Sequence, residues 1–226
     1  MRVDYAEARK LLRRSRSGAL GTHSVAAPGY PFVTLLPYVA DEACRPVFLL
    51  SGLAEHTRNI LADARASLLV ADGEGGLLQQ ARVTLIGLVT PVVLDEAALG
   101  RYLRYSPESA DYLALGDFRF FRMEPERVRY IGGFARMGWA DASVPAQTLD
   151  STAEAALVVD LARQAPVGVS VLGVDFEGLD VRICGVFRRF DLHPVNPTLA
   201  ALGEAAEALL GHMGDFTPTS GNPNLG

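Results

Sequence analysis

The stretch SGLAEHTRNIL, residues 51–61, follows the apolar run PVFLL and sets Ser51, Glu55, His56, Thr57, Arg58 and Asn59 close together. Its position after a strand-like run predicts a helix beginning near Glu55 or His56. The first turn of a helix holds N–H groups without intrahelical partners and a partial positive charge. A phosphate is stabilised there without a dedicated motif. Ser51, His56, Thr57 and Asn59 would add side-chain donors at the same end. The plainer reading is a cap: Ser51 or Thr57 closes the helix start, and Arg58 and Asn59 face water.

Two further clusters have the right residue types for ligand chemistry. In LLQQARVTLIG, residues 77–87, Gln79 and Gln80 precede Arg82 at the head of a long strand. Glutamine can hydrogen-bond a polar heterocycle, and an arginine fork can pair with an anion. In RYIGGFARMGW, residues 129–139, Gly132 and Gly133 allow close backbone approach, with Phe134 and Trp139 to flank a flat ligand. Taken alone, these two also read as a solvated loop with an outward arginine, and as a strand end with an aromatic plug. GGFARMG lacks the order of a dinucleotide fingerprint. No G-x-S-x-G motif supports a serine triad.

Composition narrows the chemistry. Of 21 basic residues, Lys10 is the only lysine, so Schiff-base catalysis has one candidate, on an amphipathic N-terminal helix. Anion binding through arginine stays open. The net charge of −5 argues against a nucleic-acid binder. Cys44 and Cys184 lie far apart and form no disulfide framework, which suits a reducing, cytoplasmic setting. Scattered histidines and isolated cysteines argue against structural zinc. Of the four histidines, His23 reads as structural, His193 precedes a proline at a turn, and His212 ends the last helix. No apolar run reaches the roughly 20 residues a membrane helix needs, and the N-terminus lacks the apolar core of a signal peptide.

These clusters need elements to hold them. Tyr5, Ala8, Leu11 and Leu12 share one face of the first helix. GALGTHS, FVTLLPYVA, VFLLS, ASLLVAD and ARVTLIGLVTPVVL read as strands, the last bent near Gly87 or Pro91. DEAALGRYLRYSPESADYLAL reads as two short helices broken at Pro107. DFRFFRMEPERVRYIGGF reads as a hairpin turning at Glu124-Pro125. The expectation is an α+β chain: a six-stranded antiparallel split β-barrel with short helices over residues 1–141, then a linker at 142–150. A small α+β domain at 151–213 follows, with turns at Asp175–Gly178 and near Gly185, and the chain closes in a flexible tail at 214–226.

The order of GYPFVTLLPYV, VFLLSGLAEHTRNILADARASLLV, QARVTLIG and DFRFFRMEPERVRYIGGFARMGW resembles the FMN-binding split barrels related to pyridoxamine 5′-phosphate oxidase. It is most similar to the HugZ-type haem-utilisation branch, over residues from about Gly18 to Trp139. The C-terminal match is weaker, because AEAALVVDLARQ lacks the histidine-rich pattern of that branch. The resemblance implies a homodimer with FMN in a cleft between subunits. His56 and Thr57 would stand at the phosphate, the backbone from Val33 through Thr34 and Leu35 to Leu36 along the ring system, and Gln80 and Arg82 near ring or phosphate. A His-Thr pair stands where the oxidases carry a basic pair, and their C-terminal substrate-binding residues have no counterpart. An oxidoreductase of unknown substrate is therefore the first expectation. A haem-binding or haem-degrading protein is the alternative, with His56 and Arg82 at the propionates and His212 or His193 at the iron. A third is a dimeric binding or regulatory protein without a cofactor.

Overall fold

The structure, a computed structural model, describes residues 5–71, 80–132, 136–140, 147–193 and 198–214. The loop residue Gln79, Gly133, Phe134, the linker as far as residue 146 and the tail from residue 215 lie outside them. The chain forms two compact units, Met1–Ala146 and Gln147–Gly226.

The first unit opens with α1 (Tyr5–Arg14), whose Tyr5, Ala8, Leu11 and Leu12 are buried, as their spacing requires of a helix with one apolar face. There follow β1 (Ser17–His23), β2 (Pro31–Pro37), β3 (Val39–Ala40), β4 (Pro46–Ser51) and α2 (Glu55–Ala62). Then come β5 (Arg65–Ala71), β6 (Arg82–Pro91), α3 (Glu96–Tyr105), α4 (Ser109–Ala114), β7 (Phe118–Ile131) and β8 (Met137–Ala140). The strands pair antiparallel in the order β2-β1-β5-β6-β7-β4-β3, with β8 on β7, and form a half-barrel. β5 and β6 alternate cleanly: Leu68, Val70, Val83, Leu85 and Val89 are fully buried, while Leu69, Ile86 and Leu88 face outward. The inner set packs with Leu12, Leu20, Phe48, Phe121 and Met123 into one core.

Two expectations about this sheet change. Among the described residues it has eight strands rather than six. The run Phe32–Ala40 divides at Pro37, which has no N–H for the ladder, and Tyr38 turns inward to donate from its hydroxyl to the Leu12 carbonyl at 2.8 Å. MGWA adds the last strand. There is also no hairpin at Glu124-Pro125: β7 runs through it as one 14-residue strand. The register shifts there, with Ile86 opposite Arg127 and Gly87 opposite Pro125, so Glu126 is the extra residue of a β-bulge. A bulge is where a strand tolerates proline. Gly87 permits it, since a Cβ there would lie 2.0 Å from the Glu124 carbonyl oxygen. The bend expected near Gly87 is this bulge. The helices either side of Pro107 form as expected.

The second unit holds α5 (Ser151–Gln164), β9 (Val169–Asp175), β10 (Gly178–Ile183), β11 (Val186–Asp191) and α6 (Leu199–His212). Its three strands form an antiparallel sheet in the order β11-β10-β9. Both turns fall where glycine marks them; Cys184 and Gly185 take φ of 47° and 86°, the left-handed pair of a two-residue hairpin. Asp150 and Thr198 cap the two helices. Leu161, Leu179, Val181, Leu202 and Leu210 form the core. The Arg189 guanidinium, 1 % exposed, pairs with Asp175 at 2.8 Å and Asp180 at 3.0 Å, which ties the three strands together. Among the described residues no helix is long and apolar enough to cross a membrane.

Candidate functional site

The residues singled out by the sequence fall into three places. The first is the junction between β4 and α2. Ser51 ends β4, where its hydroxyl donates to Asp117 at 2.6 Å and accepts from the Leu53 N–H at 3.1 Å. The helix start itself has Ala54 as its N-cap and no side-chain cap. Neither Ser51 nor Thr57 closes it, so the first-turn N–H groups are not claimed by a capping side chain. Thr57, in that first turn, is 1 % exposed and its hydroxyl has no hydrogen-bond partner. A buried hydroxyl without a partner is costly and calls for an explanation. His56 is half-buried, and burial pushes its pKa below the ordinary 6.5, leaving a neutral imidazole at pH 7.

Asn59 does something different. It is fully buried, its carbonyl oxygen accepts from the Val25 N–H at 2.9 Å, and its amide donates to the Thr22 hydroxyl at 3.0 Å. It ties α2 to the end of β1 and to the loop beyond.

The second place is β2. This strand pairs with β1 alone and leaves its other edge open among the described residues. Val33 and Leu35 point outward, 62 % and 72 % exposed, while Thr34 is half-buried. Register puts them in rows that cross the whole outer face. One row reads Val33, Gly21, Ser67, Ile86, Arg127. The next reads Leu35, Ala19, Leu69, Thr84, Arg129, Trp139.

The third place is the head of β6. Arg82 stands opposite Ala71 and Ile131 and reaches back to the Gln80 carbonyl at 3.5 Å. Ser51 pairs with Phe118 and Arg82 with Ile131, the two ends of β7. The structure thus does not bring Ser51 and its neighbours together with Gln80 and Arg82 within one chain.

A feature missed in the sequence lies on the outer face. Trp139, 40 % exposed, has the Arg127 guanidinium 4.1 Å and the Arg129 guanidinium 5.5 Å from its ring centre. No described carboxylate pairs with either arginine. The signal was present in ERVRYIG: arginines alternate with Val128 and Tyr130, which are buried, so the arginines face out. Reading a turn at Pro125 obscured it. The remaining named histidines belong to the second unit; His193 is exposed, and His212 is exposed with Nδ1 2.5 Å from the Ala208 carbonyl oxygen. No cluster of three or more metal-ligating side chains occurs among the described residues.

Comparison with known proteins agrees with this architecture. A protein from Agrobacterium tumefaciens str. C58 described as of unknown function, Atu2129, superposes with a TM-score of 0.67 at 27 % identity, covering 91 % of this chain and 94 % of that one. A heme binding protein from Mycobacterium smegmatis superposes with a TM-score of 0.57 at 26 % identity, covering 94 % and 100 %. The non-canonical heme oxygenase HOZ, chloroplastic, of Arabidopsis thaliana is 37 % identical over 134 residues, which is 57 % of this chain and 40 % of that protein. The chain therefore spans less than half the length of that relative. The family described as the CREG β-barrel matches residues 3–146, and on that match the chain belongs to the CREG β-barrel family of split barrels.

Proposed function

We propose that this chain binds haem on the outer face of its barrel, in a cleft completed by a second copy of itself. The observation that carries the reading is the pair Arg127 and Arg129 stacked on exposed Trp139 beside the apolar strip of Leu35, Leu69 and Ile86. A planar ligand bearing carboxylates asks for that combination: an apolar platform, and cations that no described carboxylate claims. His56 and Arg82 are the further propionate partners that the split-barrel resemblance implies. The heme-named relatives from Mycobacterium smegmatis and Arabidopsis thaliana support the same ligand class. Bound haem would supply a redox-active iron; the chain supplies the platform, the cations and the exclusion of water. A second copy enters because Ser51 and His56 stand at the other end of the barrel from Gln80 and Arg82. Exposed Val33, Leu35, Leu69, Ile86 and Trp139 make an apolar patch of the kind that marks an interface.

A second reading has its own observation. The uncapped start of α2 and the orphaned Thr57 hydroxyl suit a phosphate, as FMN would bring, with the ring along Val33–Leu35. One titration separates the two. Hemin added to the purified protein should give a Soret band distinct from free hemin. Arg127→Gln with Arg129→Gln should weaken hemin binding by about tenfold or more. If instead FMN fluorescence is quenched stoichiometrically, Thr57→Val abolishes the quenching and hemin stays unbound, the flavin reading replaces the haem reading. Failure of both ligands to bind would leave the cofactor-free reading.

A further inference from the structure

A groove of about 490 Å³ opens where the chain leaves β6 and enters α3. The consecutive residues from Pro91 to Leu94 line it, together with Leu99 of α3 and Arg119 and Phe120 of β7. The framework around it is fixed by local bonds. The Val92 N–H donates to the Phe120 carbonyl at 3.0 Å, and the Leu99 N–H to the Asp95 carbonyl at 2.9 Å. The Asp95 side chain caps α3 through the Ala98 N–H at 2.8 Å. The Phe120 ring stands edge-on to Tyr102, with 4.9 Å between centres. The groove is therefore preformed, and it has the size and apolar lining of a small-molecule site.

One polar side chain enters the lining, and that is Arg119. It is exposed, and among the described residues its guanidinium has no hydrogen-bond or ion-pair partner. No carboxylate lines the groove. Val93 is 95 % exposed, an apolar side chain that the fold itself does not use. The site is also remote from Trp139 and its arginines: Arg119 and Arg129 lie ten residues apart on β7, roughly 30 Å along the strand.

The chemistry selects the occupant. Apart from the arginine, the lining side chains offer nothing to a peptide backbone, whose N–H and C=O groups would be buried at a cost. A hydrocarbon chain has no such groups to satisfy. The seven lining residues are also too few for a protein interface, which takes about 20–30 residues a side. The segment from Pro91 to Leu94 spans at most about 14 Å, which sets the length of chain it can cover.

We infer that this groove binds a medium-chain fatty acid, with the carboxylate on Arg119 and the alkyl chain against Val92, Val93, Leu94, Leu99 and Phe120. The site is independent of the haem reading and stands or falls without it.

The test is calorimetric titration of the full chain with octanoate, decanoate and dodecanoate below their micelle concentrations, and with decanol as the uncharged control. Affinity should rise about fourfold per methylene, the factor that burial of one CH₂ supplies. Arg119→Gln should weaken decanoate about three- to tenfold and leave decanol unchanged. Val93→Asp should abolish binding of both; because Val93 is 95 % exposed, its unfolding midpoint should match wild type, which shows that the variant is folded. Arg127→Gln with Arg129→Gln should bind decanoate as wild type does. No binding to wild type, or an affinity indifferent to chain length, overturns the inference. Binding that survives Val93→Asp but is lost in the Arg127 and Arg129 variant overturns it too, and moves the ligand to the outer face. A wild type that ignores decanoate but whose dimer dissociates in Val93→Asp would make the groove a contact between copies instead.

Discussion

Asn59→Ala is the most informative single perturbation of the barrel. The side chain is fully buried and both ends of its amide are engaged, one with the Val25 N–H and one with the Thr22 hydroxyl. Truncation removes two hydrogen bonds. It leaves the Val25 N–H, on a residue 54 % exposed, to water, while Thr22 keeps its longer bond to the Phe32 carbonyl at 3.4 Å. Each net bond is worth about 1 kcal/mol. The sum for Asn59→Ala is roughly 2 kcal/mol, or a fall in Tm of roughly 4–8 °C. Thermal or urea unfolding followed by the fluorescence of Trp139, the single tryptophan and a residue of the barrel unit, reads it directly. Asn59→Asp should add a pH dependence. A carboxylate at a fully buried site has its pKa raised by desolvation, so the folded state holds the proton more tightly than the unfolded one. Relative to wild type, the variant should be least destabilised at low pH and lose stability as pH rises above the ordinary carboxylate range. A result within about 1 kcal/mol of wild type for Asn59→Ala, together with a large loss of ligand affinity, would refute the argument. Asn59 would then be a ligand-binding donor rather than a tie.

Other consequences follow from the same geometry. Gly87→Ala places a Cβ 2.0 Å from the Glu124 carbonyl oxygen, so the bulge must rearrange, and urea titration should show a loss of about 1–3 kcal/mol or more. Burial holds the His56 pKa below 6.5, so the unfolded chain takes up this proton first; wild type should lose stability as pH falls through about 6.5, and His56→Gln should flatten that slope between pH 7.5 and pH 5.5. Leu35 is 72 % exposed, so Leu35→Arg should leave the unfolding midpoint almost unchanged; sedimentation should nevertheless show a shift from dimer to monomer, and a wild type that sediments as a monomer would remove the two-copy cleft.

Much of the frame was legible in the sequence, for local reasons. The β-branched, apolar character of ASLLVAD and ARVTLIGLV marked two strands; which of their sides is buried came from the structure. The spacing of Tyr5, Ala8, Leu11 and Leu12 gave α1, and Pro107 gave the break between α3 and α4. The hairpin expected at Glu124-Pro125 failed because a proline in a strand reads as a turn unless its partner is known; Gly87, far away in the chain, supplies the bulge that accommodates it. The roles of the polar residues in SGLAEHTRNIL were equally hidden. Thr57 and Asn59 are two positions apart, yet one hydroxyl is left unpartnered and the other side chain is consumed by Val25 and Thr22.

The sequence alone determined which residue types were on hand: arginine rather than lysine for anions, four histidines for any iron, and a helix start after VFLLS. These follow from composition and from periodicities of two and 3.6, which act over one or two turns of chain. Only the tertiary structure decided which of them share a surface. Cross-strand register alone sets Val33, Gly21, Ser67, Ile86 and Arg127 in one line, and it carries Ser51 and Arg82 to opposite ends of β7. Register is fixed by pairings between segments far apart in the chain, and no local pattern encodes it.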